Sequence, residues 1–254
     1  MNFASLENQV AIITGSTGIG AATAHVFVAA GAKVAVVGRS LENLEQLQSE
    51  LPGIFPIAAD LVEAGAAKKV VNDTLEHFGH LDVLVNIAGI SGRKFGDGPV
   101  HEATDDGWDV VMNTNAKTTF SLCREALEPM MRQGSGSIVN MASVLAYSPS
   151  KDFFSTHAYA ACNGARIALT KAMAGYYASH GIRVNAVAPG LIATPMSTRA
   201  QTDPEILEFM RFKQPITGSL GESEDVAQAI LYLATAKFVT GVVLEVAGGW
   251  SVTG

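Results

Sequence analysis

Short, continuous apolar runs alternate along this chain with longer stretches whose apolar positions recur at helical spacing. The runs predict strands at about 10–13, 33–37, 54–58, 81–85, 137–141, 183–188 and 242–246. Between them, helices are predicted from the glycine turn to about residue 30, then at 41–50, 64–78, 105–113, 118–132, 159–179, 204–212 and 224–234. Strands that are apolar throughout, rather than at every second position, are covered on both faces, and their alternation with helices implies a parallel sheet. The expected fold is therefore α/β, a doubly wound parallel sheet of about seven strands with helices on both faces. The 254 residues suit one such domain, spanning 1–254. Ligands of open α/β sheets sit beyond the carboxyl ends of the strands. The polar, irregular stretches 91–106, 147–157 and 197–224 follow strands and are candidate site walls, with a substrate lid at about 195–218.

Charged residues make up only 16% of the chain, against about 25% in a typical soluble domain. This predicts surface buried against further copies, a homo-oligomer. The net charge of −7 and the lack of any Lys/Arg cluster argue against nucleic-acid partners and anionic membranes. No uncharged apolar run approaches the roughly 18 residues that span a bilayer. The start, Met1-Asn2-Phe3-Ala4-Ser5-Leu6-Glu7, shows no signal segment. Two cysteines, Cys123 and Cys162, both in helical stretches, fit a reduced, cytoplasmic setting. The six histidines are scattered, so no metal site is expected.

Thr14-Gly15-Ser16-Thr17-Gly18-Ile19-Gly20 follows the first strand and opens the first helix. Glycines permit a tight turn and close approach of a pyrophosphate, and the helix N-terminus offers free N–H groups to it. The segment resembles the T-G-x-x-x-G-x-G motif of short-chain dehydrogenases/reductases, a family of Rossmann fold, but is one residue shorter: only Ser16 and Thr17 separate Gly15 from Gly18. The second strand ends Gly38-Arg39-Ser40, where an NAD site usually carries a carboxylate for the ribose 2′-OH. Arg39 suits a 2′-phosphate instead, so NADP(H) is favoured over NAD(H); a solvated strand-end arginine is the other reading. Asp60-Leu61 matches the family's Asp at the adenine, although an N-cap Asp would look the same. Asn86-Ile87-Ala88-Gly89 resembles the N-N-A-G motif with its second Asn replaced, and Ala88 and Gly89 would pass close to the ribose.

The resemblance extends over nearly the whole chain. It implies catalytic roles for Asn115, Ser143 and Tyr159, and a loop Pro189-Gly190-Leu191-Ile192-Ala193-Thr194 closing over the nicotinamide, with Ile192 and Thr194 at the carboxamide. The implied reaction is hydride transfer between nicotinamide and a carbonyl or secondary alcohol. Tyr159 would move the hydroxyl proton, Ser143 would hold the substrate oxygen, and Asn115 would order a proton-carrying water chain. A tyrosine ionises near pH 10, and the family lowers this with a lysine four residues on, which also binds the nicotinamide ribose. Here that residue is Asn163, an uncharged amide still able to bond a ribose hydroxyl. Tyr147 to Lys151 also satisfies Y-x-x-x-K, but lies too soon after Ser143 and contains Pro149, which breaks a helix. Lys151 remains a candidate to supply the missing charge from a loop. His157 reads as a loop or helix-start residue, Cys162 as core. Met196, Phe209, Met210 and Phe212 read equally as lid or as helix packing. Val246-Ala247-Gly248-Gly249 departs from the family's V-D-G-G, near where its subunits pair as tetramers or dimers. Two functions follow: an NADP(H)-dependent oxidoreductase acting on a small molecule, or an impaired dinucleotide-binding homologue serving as a regulatory or structural subunit.

Overall fold

The computed structural model describes residues 5–253; Met1 to Ala4, part of the segment read above for a signal, lie outside the described residues. Among the described residues, seven strands form one parallel sheet: β1 (Val10–Thr14), β2 (Lys33–Gly38), β3 (Phe55–Ala58), β4 (Val83–Asn86), β5 (Gly136–Met141), β6 (Ile182–Pro189) and β7 (Val243–Val246). Their order is β3-β2-β1-β4-β5-β6-β7, all neighbours parallel.

Helices cover both faces, because successive strand residues point to opposite sides. Ile13 packs in one core with Phe27 of α1 (Ile19–Ala29), Leu44 and Leu47 of α2 (Leu41–Glu50) and Val226 and Ile230 of α9, the helix Ser223–Thr235. Its neighbour Ile12 packs in the other, with Val70 and Val71 of α3 (Ala66–Phe78), Leu122 and Met130 of α5 (Thr118–Gln133) and Met173 of α6 (His157–Tyr177). A third cluster lies beyond the strand ends. There Ile206 and Met210 of α8 (Pro204–Lys213), which follows the short α7 (Thr198–Thr202), pack with Val144 and Trp250.

Three boundaries differ from the sequence pattern for identifiable reasons. Leu81 precedes β4 rather than belonging to it, because its N–H and C=O are taken by the Gln133 side chain at 3.3 and 2.8 Å. The helices predicted at 105–113 and 118–132 form one continuous run: α4 (Asp105–Val111), a π-helical segment Met112–Lys117, then α5. And α6 begins at His157, two residues early. Its N-cap, Thr156, makes no side-chain cap; the distant Asp97 provides it, accepting from Ala158 N and Tyr159 N, both at 2.9 Å.

Candidate active site

The chain reverses its direction of winding between β1 and β4, and the carboxyl ends of these two strands open the crevice where α/β sheets hold ligands. Thr14 Oγ1 ties the two ends together, accepting from Ile87 N at 2.8 Å and Ala88 N at 3.0 Å. The glycine loop turns here. A Cβ on Gly20 would lie 2.1 Å from the Gly15 carbonyl oxygen, so α1 can start this close to β1 only with glycine at that position. At Gly38 a Cβ would lie 2.8 Å from Ser16 Oγ, the end of a side chain that can turn aside, so the glycine loop touches this strand end without requiring glycine there.

Two connected hollows follow. The smaller, about 250 Å³, is lined by Ser16, Thr17, Arg39, Ser40, Asp60 and Leu61 among others. The Arg39 side chain is exposed, and no carboxylate among the described residues pairs with it. Ser40 caps α2, accepting from Asn43 N at 3.2 Å, and Asp60 accepts from Val62 N at 3.1 Å. Gly15, Thr17, Ala88 and Gly89 also border the larger hollow, about 860 Å³. Its walls include Gly18, Ile19, Asn115, Ser143, Tyr159, Pro189, Gly190, Ile192 and Thr194. The extended pair of chambers, with a glycine loop and helix N-terminus at their junction, fits a dinucleotide in shape and in donors.

The structure therefore gathers most of the predicted site residues and sets three apart. Gly20 is buried under the loop. Asn86 turns inward, donating to Asn140 Oδ1 at 2.9 Å and to Cys123 Sγ at 3.3 Å. Asn163 is 0% exposed and is not part of either wall; its Nδ2 donates to the Tyr159 main-chain oxygen at 2.9 Å, and its Oδ1 has no partner.

A family described as enoyl-(acyl carrier protein) reductase matches residues 13–251. The chain is 37% identical to a 3-oxoacyl-[acyl-carrier-protein] reductase of Thermotoga maritima, over 96% of this chain and 98% of the relative. It is 36% identical to a 2-(R)-hydroxypropyl-CoM dehydrogenase of Xanthobacter autotrophicus, over 96% and 99%. A solved short-chain type dehydrogenase/reductase from Mycobacterium ulcerans superposes with a TM-score of 0.91 at 29% identity, covering 98% of this chain and 92% of that one. The chain belongs to the short-chain dehydrogenase/reductase family. It is an oxidoreductase of that family, working with a nicotinamide dinucleotide.

Within this short-chain dehydrogenase/reductase site, each polar side chain has a definite local cause. Ser143 ends the segment after β5; its Oγ accepts from Leu145 N at 3.2 Å, which leaves the hydroxyl proton free to donate into the cavity. Asn115 sits in the π-helical segment, fully buried, where its main-chain oxygen accepts from Thr119 Oγ1 at 2.9 Å and Arg166 Nε at 3.1 Å. Its amide is consumed by the loop after β4: Oδ1 accepts from Ile90 N at 2.8 Å and Nδ2 donates to Ile90 O at 2.9 Å. Burial pushes the Tyr159 phenol above its ordinary range, as does the neighbouring Cys162; Arg166 and hydrogen bonding to Asn163 and Ser143 pull it back in part.

Trp250 and Arg166 escaped the sequence reading, whereas Phe154, Arg93, Lys94 and Arg199 fall in the stretches 91–106, 147–157 and 197–224 read as candidate walls. Trp250 and Phe154 line the cavity, and Trp250 is anchored by Nε1 donating to Ser148 O at 3.0 Å. Arg93, Lys94 and Arg199 line its mouth, and no Asp or Glu does. Arg93 and Arg199 both donate to the Phe153 carbonyl. Arg166, on α6, reaches the cavity from below. Of the four residues read as lid or packing, Met196 lines the cavity, Met210 is buried, Phe209 packs on Phe153 and Trp250, and Phe212 is exposed. Tyr147 donates to Glu245 at 3.0 Å, and neither it nor Lys151 borders the cavity. Both cysteines are free and buried. Among the described residues, no group of three or more His, Cys, Asp or Glu could hold a metal ion, and no helix is long and apolar enough to cross a membrane.

Proposed function

We propose that this protein is an NADP(H)-dependent reductase of a small carbonyl compound carrying an anionic group, running also in reverse as an alcohol dehydrogenase, with Tyr159 as proton donor and acceptor. One observation carries the reading: a single cavity is bordered at once by the glycine loop, by Ser143 and Tyr159, and by the loop Pro189 to Thr194.

When bound, the nicotinamide supplies or accepts the hydride at its C4. The protein's own groups do the rest. The Ser143 hydroxyl donates a hydrogen bond to the substrate oxygen and fixes it beside Tyr159. The Tyr159 phenol, held protonated at neutral pH by burial, gives its proton to that oxygen in reduction and takes it back in oxidation. Asn115 holds the loop after β4 at the floor of the site. Leu191, Ile192 and Met196 exclude bulk water on the far side, with residues 195–218 as the lid.

The preference for NADP(H) is supported by Arg39, exposed and unpaired beside Ser40, and by the absence of a carboxylate at Gly38. The anionic group is supported by Arg93 and Arg199, two guanidiniums converging on one carbonyl at the cavity wall; Arg199 is also held by Asp203 at 3.8 Å, which leaves Arg93 and Lys94 as the cations nearest to free there. Exposed Trp108, Phe120, Tyr232 and Phe238 support assembly of several copies. Soluble function in the cytoplasm fits the same picture.

Titration of NADPH and NADH into the purified protein, followed by nicotinamide fluorescence, tests this reading. It expects binding of both with NADPH the tighter, and oxidation of NADPH by keto acids or keto thioesters ahead of neutral ketones. Binding without turnover of any carbonyl would favour a regulatory dinucleotide-binding subunit; no binding would remove the reading altogether.

A further inference from the structure

Arg166 is a cation for which the reaction above has no use. It follows Tyr159 by seven residues and Asn163 by three, so the three share one face of α6. About 10 Å of helix axis separates Tyr159 from Arg166. Helical side chains lean toward the N-terminus, so an arginine here reaches back over that gap. The residue is 3% exposed. Its Nε donates to the Asn115 main-chain oxygen at 3.1 Å and to Thr119 Oγ1 at 3.0 Å, and one terminal nitrogen donates to Ala88 O at 2.9 Å. All three acceptors are neutral. No carboxylate among the described residues forms an ion pair with it. The other terminal nitrogen makes no hydrogen bond within the protein, and the side chain borders the cavity together with Tyr159 and Asn115.

A buried charge without a counter-charge is costly, and a framework role here needs only a neutral donor. The chain keeps this charge three residues beyond Asn163, the position of the family's lysine. We propose that Arg166 is the positioning residue that replaces that lysine, stabilising the Tyr159 phenolate from one turn further along α6 while its bond to Asn115 fixes the guanidinium in place. Among the charged groups around Tyr159, Arg166 is the one that draws its proton off more readily; Cys162 acts in the opposite sense, as does Asp97 on Cys162. The titratable groups facing Arg166 are Tyr159 and Cys162 on its own helix and Cys123 on α5. Lys151 is exposed and outside the cavity wall.

The proposal rests on Tyr159 being the proton carrier, and its test reads ionisation rather than turnover, so the two fail separately. Protein labelled with 3-fluorotyrosine, which brings the phenols into an accessible range, is titrated by ¹⁹F NMR, with Tyr159→Phe assigning the signal. In Arg166→Met or Arg166→Gln the Tyr159 midpoint should rise by about 1–3 pH units, while Arg166→Lys leaves it near that of the parent. Asn163→Lys should restore the midpoint in the neutral variant and move it much less in the parent, where a cation is already present. Either of two results overturns the proposal in a folded neutral variant: an unmoved midpoint, or an Asn163→Lys effect of equal size with and without Arg166. If neither neutral variant folds, the guanidinium is a framework group and the proposal fails too.

Discussion

Asp97 Oδ2 accepts a hydrogen bond from the main-chain N–H of Tyr159 at 2.9 Å, across 62 residues of sequence. Its other oxygen takes the N–H of Ala158. One buried carboxylate thus ends the loop that follows β4 and starts the helix that carries the phenol. A carboxylate at this end also complements the helix dipole. Asp97→Ala should cost about 1–2 kcal/mol of stability, the usual loss for a removed cap, and lower turnover as α6 loses its fixed start. Asp97→Asn, which keeps an acceptor, should lose less of both. Urea unfolding and steady-state rates on the same preparations check this; equal losses for Ala and Asn would contradict it by showing that one neutral acceptor does not replace the two-oxygen cap.

Tyr159→Phe removes the phenol proposed to carry the proton and leaves the ring in place. We expect turnover to fall by about 10²–10⁴-fold, the range for general acid–base groups, with NADPH affinity nearly unchanged. Ser143→Ala should fall less, since an aligned phenol still reaches the substrate oxygen. Measured kcat alongside fluorescence titration separates the two effects.

Burial holds the Tyr159 phenol protonated through neutral pH. Carbonyl reduction, which needs the acid form, should therefore be level across neutral pH and decline only as the phenol ionises in strongly alkaline solution. Alcohol oxidation, which needs the phenolate, should climb with pH over the same range. Rate profiles in the two directions give the answer, and an oxidation rate falling as pH rises from 7 would contradict it.

Cys123 sits fully inside the second core, and burial pushes its thiol up to about 12 from an ordinary 9.0. The folded state keeps the thiol neutral where the unfolded chain ionises it. The stability this contributes is complete below pH 9 and is lost as pH rises from there toward 12. Cys123→Ala should lower stability at neutral pH by leaving a cavity, yet flatten its decline above pH 9. Denaturant midpoints at pH 7 to 10.5 report both, and parallel declines in the two proteins would exclude the thiol as the cause.

In the proposed NADP(H) site, Arg39 would carry the cofactor preference. Arg39→Ala should then weaken NADPH by about 10–100-fold, the scale of a charge-assisted hydrogen bond, and leave NADH little changed, as read by nicotinamide fluorescence. Adding Gly38→Asp, whose Cβ meets only the rotatable Ser16 hydroxyl, should strengthen NADH binding.

The sheet and most of the cavity wall were legible in the sequence, because apolar runs and the glycine loop are local signals. What stayed hidden depends on contacts between distant segments. The start of α6 is set by Asp97, and nothing near residue 157 announces it. Helices 105–113 and 118–132 read as separate, since the π-helical turn that joins them has no periodicity of its own. Arg166 did leave a trace: Tyr159, Asn163, Arg166 and Thr170 form a polar stripe at helical spacing on an otherwise apolar helix. Its meaning required seeing that Asn115, Thr119 and Ala88 converge on it.

Hydride transfer in this cavity, with Tyr159 moving the proton as proposed above, leaves an isotopic signature. The most direct test is a panel of anionic ketones incubated with deuterium-labelled NADPH and either the parent protein or Tyr159→Phe, with products read by mass spectrometry. Deuterium should appear on the carbinol carbon with the parent, and product should be lost in the variant although NADPH still binds. Equal deuterated product from both proteins, or none from the parent with NADPH bound, would contradict it.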